Sequence, residues 1–222
     1  MPIPNHSVAP VTKDDIPTVS GFLQDSKLHL AINRFLIKDW PNLSFQNVNY
    51  TRAIEGSLSN PEATSLKVVD DTSGQIVAYI CYTKRPSGPV KNEKLDPEGD
   101  ESQTNEEIPA GFVPDVYRAV MNADRELEPN LDTDEYISLT YLYVEPSSRR
   151  QGIGSWLFQI AQDAAVSQKL PLTLFSEPDP HEFFVNRGVR DVKKVDIDLR
   201  KWAAPMSGYG LFRVTRMVRD EH

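Results

Sequence analysis

A chain of 222 residues, 39% of them hydrophobic, is long enough for one large core, or for one core carrying an insertion. Its formal charge of −8 is concentrated between residues 91 and 107, where two lysines face seven acids, and no Lys/Arg stripe suited to nucleic acid is visible. No run approaches the ~18 apolar residues of a membrane span, the opening MPIPNHSVAP lacks a signal-peptide core, and the single cysteine, Cys81, excludes an intrachain disulfide.

Residues 7–12 read as a first strand. Thr12-Lys13-Asp14-Asp15 is a helix start, with a threonine cap and acids in the first turn. The helix behind it carries Ile16, Val19, Phe22 and Leu23 at helical spacing. The pattern resumes through Leu28, Leu30, Ile32, Phe35, Leu36 and Ile37, and Pro41 stops it. Residues 45–58 predict another helix. Residues 65–69 and 75–83 predict a hairpin across the turn cluster Asp70-Asp71-Thr72-Ser73-Gly74. Its second strand is apolar almost throughout, as a strand covered on both faces should be, and Cys81 reads as an inert core thiol within it. Residues 85–111 break the pattern. They are prolyl and acidic, cannot bury enough surface to offset their ordering entropy, and are expected to form a flexible insertion within a single domain spanning 1–222. Helical spacing returns over 112–127, closed by Pro129.

The most informative stretch is 136–168. An apolar strand runs to Leu142-Tyr143-Val144-Glu145-Pro146, and a Ser-Ser turn leads into Arg149-Arg150-Gln151-Gly152-Ile153-Gly154-Ser155. A helix follows with Ile153, Trp156, Leu157, Ile160, Ala161 and Ala164 at helical spacing. A strand feeding a basic, glycine-bearing loop at a helix start is an anion cradle: backbone N–H groups converge there and the helix dipole favours negative charge. A dinucleotide fingerprint would need a third glycine where Leu157 stands, and a P-loop would need Lys-Ser/Thr after the glycines. Beyond it, 170–175 predicts a strand and 179–187 a short helix with Asp179 as cap, Pro180 at its first position and Gly188 as its stop. Residues 192–199 and 211–218 alternate and read as a closing antiparallel pair. His6, His29, His181 and His222 lack metal-ligand spacing, so no metal is expected.

Strand, loop and helix together resemble the acetyl-CoA signature of the GNAT superfamily of N-acetyltransferases, Arg/Gln-x-x-Gly-x-Gly/Ala after an apolar strand ending Leu-x-Val-x-Pro. The resemblance implies an α/β GNAT (acyl-CoA N-acyltransferase) fold, with a mixed, mostly antiparallel central sheet flanked by helices and two splayed central strands. It implies acetyl-CoA as cosubstrate. The backbone of Leu142, Tyr143 and Val144 would meet the pantetheine and thioester, with Leu142 N–H as oxyanion donor. Arg149, Arg150, Gln151, Gly152, Ile153, Gly154 and Ser155 would surround the pyrophosphate. Two positions depart from the better-defined members. Ser138 stands where some use a glutamate base, leaving Glu177, Ser138 and Tyr136 as catalytic candidates, with Glu177 preferred because a carboxylate can hold a proton. Phe184 stands where many place a tyrosine acid, and can pack against pantetheine but donate nothing. The expected function is acetyl transfer to a small-molecule amine by an intracellular, cytoplasmic monomer or homodimer that engages neither membrane nor nucleic acid. The alternatives are a CoA-binding module without transfer activity and a protein or peptide N-acetyltransferase.

Overall fold

The structure, a computed structural model, describes residues 3–87, 108–129, 131 and 133–220. In chain order the elements are β1 (His6–Pro10), α1 (Ile16–Leu28), α2 (Asn33–Leu36), α3 (Leu43–Ser59), β2 (Ala63–Asp70), β3 (Ile76–Pro86) and α4 (Pro114–Glu126). They continue with β4 (Glu135–Val144), α5 (Ile153–Gln168), β5 (Leu172–Ser176), α6 (His181–Val185), β6 (Arg190–Asp198) and β7 (Leu211–Arg219). The seven strands form one sheet in the order β1-β2-β3-β4-β5-β7-β6, antiparallel throughout except for the parallel pair β4–β5.

The apolar run of β3 has consequences on both sides. Ala78, Ile80 and Tyr82 pack with Ile153, Leu157, Phe158 and Ala161 of α5. Tyr79 and Cys81 pack on the opposite face with Val19, Phe22 and Leu23 of α1 and Ile54 of α3. Ile80 and Leu157 are fully buried, and each contributes roughly 1.5–3 kcal/mol by leaving water. A third cluster joins Leu30 and Ile32 to Val116 of α4 and to Ile197, Leu199 and Phe212 at the β6–β7 end. One face of the sheet therefore belongs to α5, and the other to α1, α3 and α4.

The α1 start is held as its residues imply: Thr12 N–H donates to Asp15 Oδ2 at 2.7 Å, and Asp15 also receives Lys67 Nζ at 2.5 Å. Three expectations are corrected. Residues 28–37 do not form a continued helix, because Leu30 and Ile32 are buried as connecting residues between α4 and the β6–β7 end and only Asn33–Leu36 is helical. Lys84, Arg85 and Pro86 belong to β3, paired with Ile137, Tyr136 and Glu135; residues 88–107 of the expected insertion lie outside the described residues. Asp179 does not cap α6, which begins after a turn at Pro180 with no side-chain cap.

Candidate functional site

The gap in the sheet comes from unequal pairing of β4. On one side it pairs with β3 along its whole length; on the other it meets β5 only at Ile137, Ser138 and Leu139. From Thr140 onward the β5-facing edge is open. A bulge decides which backbone groups line it: Cys81 faces Tyr141 and Tyr82 faces Leu139, so Thr140 is the extra residue. Ahead of the bulge, Ile137 N–H points toward β5 and donates to Pro171 O at 3.0 Å. After it, Glu145 N–H points the other way, to Val77 O of β3 at 2.9 Å. Strand alternation then turns the amides of Leu142 and Val144 into the gap. Without the bulge, Leu142 would face β3. Arg149 Nε donates to Val144 O at 2.9 Å, which marks that carbonyl as facing away from β3.

Below the gap the chain makes a single turn of 3-10 helix, Pro146–Ser148, and enters α5 through two left-handed residues, Arg150 (φ 62°) and Gly152 (φ 90°). Among the described residues no backbone N–H from Arg150 to Ser155 donates to any group; the first to do so is Trp156, to Gly152 O at 2.9 Å. Six consecutive amides at the N-terminus of a 16-residue helix are therefore available to an anion. A Cβ on Gly154 would meet the Phe183 ring and Val144 at 3.5 Å, an ordinary van der Waals contact. Arg187, just past α6, donates through Nη2 to Ser155 Oγ and through Nη1 to Phe183 O at 2.6 Å. Its guanidinium lies 3.5 Å from the centre of the Phe183 ring, and burial lowers its pKa.

The structure brings Leu142, Val144 and residues 149–155 to this one place. It does not bring Tyr143, whose ring stacks on Phe22 at 4.8 Å on the opposite face and whose amide turns to β3. Nor does it bring Phe184, 6% exposed and packed between Phe158 and Phe183 in the core. Phe183 is the ring beside the cradle. Arg187 and Phe183 lie in the helix predicted over 179–187 but were not among the site candidates, although their spacing of four on a helical segment was the available signal.

The opposite face of β4 carries the catalytic candidates. Tyr136 and Ser138 are buried there, and Glu177 follows β5. The Glu177 carboxylate accepts Lys27 Nζ from the last turn of α1. Desolvation raises the pKa of the Asp124 carboxyl on α4, a rise that nearby Lys27 partly offsets. Burial raises the Tyr50 phenol, and Tyr141 and Glu177 add to that rise. An ammonium, carboxylates and phenols thus lie near one another on this side of the sheet. Further along the face, Arg34 Nη1 donates to Tyr209 OH at 3.1 Å and Phe35 meets the Tyr209 ring at 4.8 Å, joining the segments 28–45 and 202–210. Phe35, Trp40, Val116 and Trp202 line an open cleft of about 550 Å³ there. His181 lies elsewhere, 2.8 Å from Asp191.

A sequence model of the acetyltransferase (GNAT) family matches residues 29–183, more than half of the chain. The chain belongs to the GNAT family. No curated protein matches the sequence. Among solved structures, it is similar to the mosquito arylalkylamine N-acetyltransferase like 5b, with TM-score 0.60 and 10% identity over 96% of this chain and 99% of that one. It is also similar to a histone acetyltransferase HPA2 and related acetyltransferase from Corynebacterium glutamicum, with TM-score 0.59 and 15% identity over 98% and 97%. A third is Arabidopsis thaliana NAA60 in complex with a bisubstrate analogue, at TM-score 0.53 and 9% identity over 96% and 97%. At these identities the likeness is one of fold. GNAT enzymes use acetyl-CoA and act on amines, and the open β4 edge and free amides of this chain fit a pantetheine and a diphosphate in chemistry. Among the described residues no cluster of three or more His, Cys, Asp or Glu could hold a metal, and no helix is long and apolar enough to cross a membrane.

Proposed function

We propose that this GNAT protein transfers acetyl from acetyl-CoA to the amine of a small molecule. The observation that supports it most is the run of free amides from Arg150 to Ser155 directly below an open strand edge. The diphosphate would take those amides. The pantetheine would lie along Leu142 and Val144 as an added strand, leaving the thioester at the mouth of the gap.

An amine near pKa 10 is mostly protonated at neutral pH, so a proton must leave before attack. Glu177 is the candidate acceptor for it, with a substrate ammonium taking over the place Lys27 holds on the carboxylate. The freed amine forms the C–N bond, Leu142 N–H stabilises the oxyanion, and the C–S bond breaks. The coenzyme leaves as a thiolate, with a thiol pKa of about 8.5 that makes it a tolerable leaving group without a side-chain acid, and it takes up the second proton that the nitrogen gives up as the amide forms. That chemistry is compatible with a phenylalanine at position 184.

Ser138 at the base position and Lys27 on Glu177 favour, as a second reading, a protein that binds acetyl-CoA without transferring it. One pair of measurements separates the two. Acetyl-CoA at 100 times its Kd should stabilise the fold by about 2.7 kcal/mol, and a panel of small amines should then release free thiol. Stabilisation without thiol release selects the binder. Absence of stabilisation at saturating acetyl-CoA removes both readings.

A further inference from the structure

Arg216 lies on β7, on the face that α4 covers, and it is 2% exposed. Its Nε and Nη2 have no hydrogen-bond partner among the described residues. Burying a guanidinium in that state is strongly unfavourable. Two rings soften the cost: Phe175 stands 4.7 Å from the guanidinium carbon and Tyr136 stands 5.6 Å from it. Both rings attract the cation, and the Tyr136 hydroxyl also hydrogen-bonds to Arg216, but Nε and Nη2 remain without a partner among the described residues.

Those two atoms form one edge of the guanidinium, with donors spaced to match the two oxygens of a carboxylate. The chain uses the same edge elsewhere. Arg190 holds Asp220 with it at 2.8 and 3.0 Å, Arg200 holds Asp198 at 2.7 and 2.8 Å, and Arg213 holds Asp196 at 2.7 Å for both bonds. All three are surface pairs. Arg216 is buried, and among the described residues its fork holds no carboxylate.

The other charged groups acting on Arg216 are Arg85, which repels it, and Glu128, just past α4, which attracts it without a hydrogen bond. Location connects the fork to the reaction. Phe175 is opposite Arg216 in the β5–β7 ladder and is the first β5 residue past the last β4 pair, so it stands at the mouth of the gap. Tyr136 and Ser138 share that face. Phe175 is 41% exposed, so the ring that flanks the guanidinium reaches solvent.

We propose that Arg216 is the receptor for a carboxylate on the acceptor, so that the substrate is an amine that also bears a carboxylate, gripped side-on by Nε and Nη2 beside the Phe175 ring. This deepens the acetyl-transfer reading and rests on it for the amine half. The test compares thiol release from acetyl-CoA with glycine, β-alanine, γ-aminobutyrate and 5-aminopentanoate against the alkylamines of matching length. The best carboxylated acceptor should exceed its alkylamine by about a hundredfold in kcat/KM, because an unfilled buried fork penalises the analogue lacking the group. In Arg216→Gln and in Arg216→Lys, which keeps the charge and loses the fork, that ratio should collapse to within about threefold of unity. A wild-type ratio near unity, or a ratio unchanged in both variants, would overturn the proposal.

A second arm needs neither turnover nor a variant. Pentanoate should raise the melting temperature of the wild-type protein in the presence of CoA, and neutral pentanamide should not. Equal effects of the two would sink the carboxylate site, as would a ligand-free crystal structure with the Glu128 carboxylate seated on Nε and Nη2. Pentanoate stabilisation without thiol release from any amine would instead sink the transfer reading and leave the anion site standing.

Discussion

The two faces of β4 are built by different means. The side proposed for the acetyl donor is main chain: Leu142, Val144 and the amides from Arg150 to Ser155 offer hydrogen-bonding groups that every residue carries, aimed by a bulge, two left-handed residues and a helix start. The side proposed for the acceptor is made of side chains. Lys27 comes from α1, Tyr50 from α3, Asp124 from α4, Tyr136 from β4, Glu177 from the end of β5 and Arg216 from β7. A backbone site is fixed by local conformation, so substitutions that keep the conformation keep the site. A side-chain site is fixed by how distant elements pack, and one residue can redirect it.

The difference can be broken or sharpened by substitution. The largest expected effect is on the side-chain face: Glu177→Gln should lower kcat by about 10²–10³ with the Kd for acetyl-CoA unchanged. Single-turnover kinetics with calorimetry on the same sample would read both, and an unaltered kcat would reduce Glu177 to a structural partner of Lys27. Next, Gly152→Val should weaken acetyl-CoA roughly thirtyfold, about 2 kcal/mol, because a β-branched residue resists a φ of 90° and must swing the amides away. A loss no larger than threefold would mean that side chains, rather than conformation, carry the cradle. Arg187→Gln should weaken acetyl-CoA only a few-fold and flatten its salt dependence, since it removes one cation beside Ser155 while the amides stay in place.

The smallest effect belongs to a control that touches neither face. Desolvation pushes the pKa of Asp15 up, while hydrogen bonds from Lys67 and from the N–H and hydroxyl of Thr12 outweigh it, leaving the carboxyl below its ordinary range. Its folded pKa is therefore below its unfolded one. The stabilisation is fully present above the unfolded value of about 3.9 and is lost as pH falls through the folded value. Asp15→Asn should cost about 1 kcal/mol at pH 7, with the difference from wild type closing below about pH 4. Thermal melts across pH read this, and acetyl-CoA affinity should not move.

Legibility followed the same division. The strand, turn and helix of the proposed donor side could be read because Leu142 to Ser155 is one stretch whose turn residues, glycines and helical spacing act on near neighbours. Even there Tyr143 was misplaced, because a bulge at Thr140 leaves no mark in a run of β-favouring residues and shifts the phase of everything after it. Phe184 was misplaced for a related reason: five helical residues do not reveal which of two adjacent phenylalanines faces the core. On the acceptor side, Glu177 stood out as a carboxylate at a strand end, but Lys27 lies 150 residues away in sequence and nothing local announces their meeting. Nothing in the alternating stretch 211–218 singles out Arg216. Its burial is a product of β5, β4 and α4 closing over it.

The most direct measurement of the central proposition is a crystal structure with acetyl-CoA bound. Diphosphate oxygens should lie within hydrogen-bonding distance of amides between Arg150 and Ser155, and the pantetheine should run beside Leu142 and Val144. A coenzyme whose diphosphate sits elsewhere, with those six amides turned to protein or solvent, would contradict it.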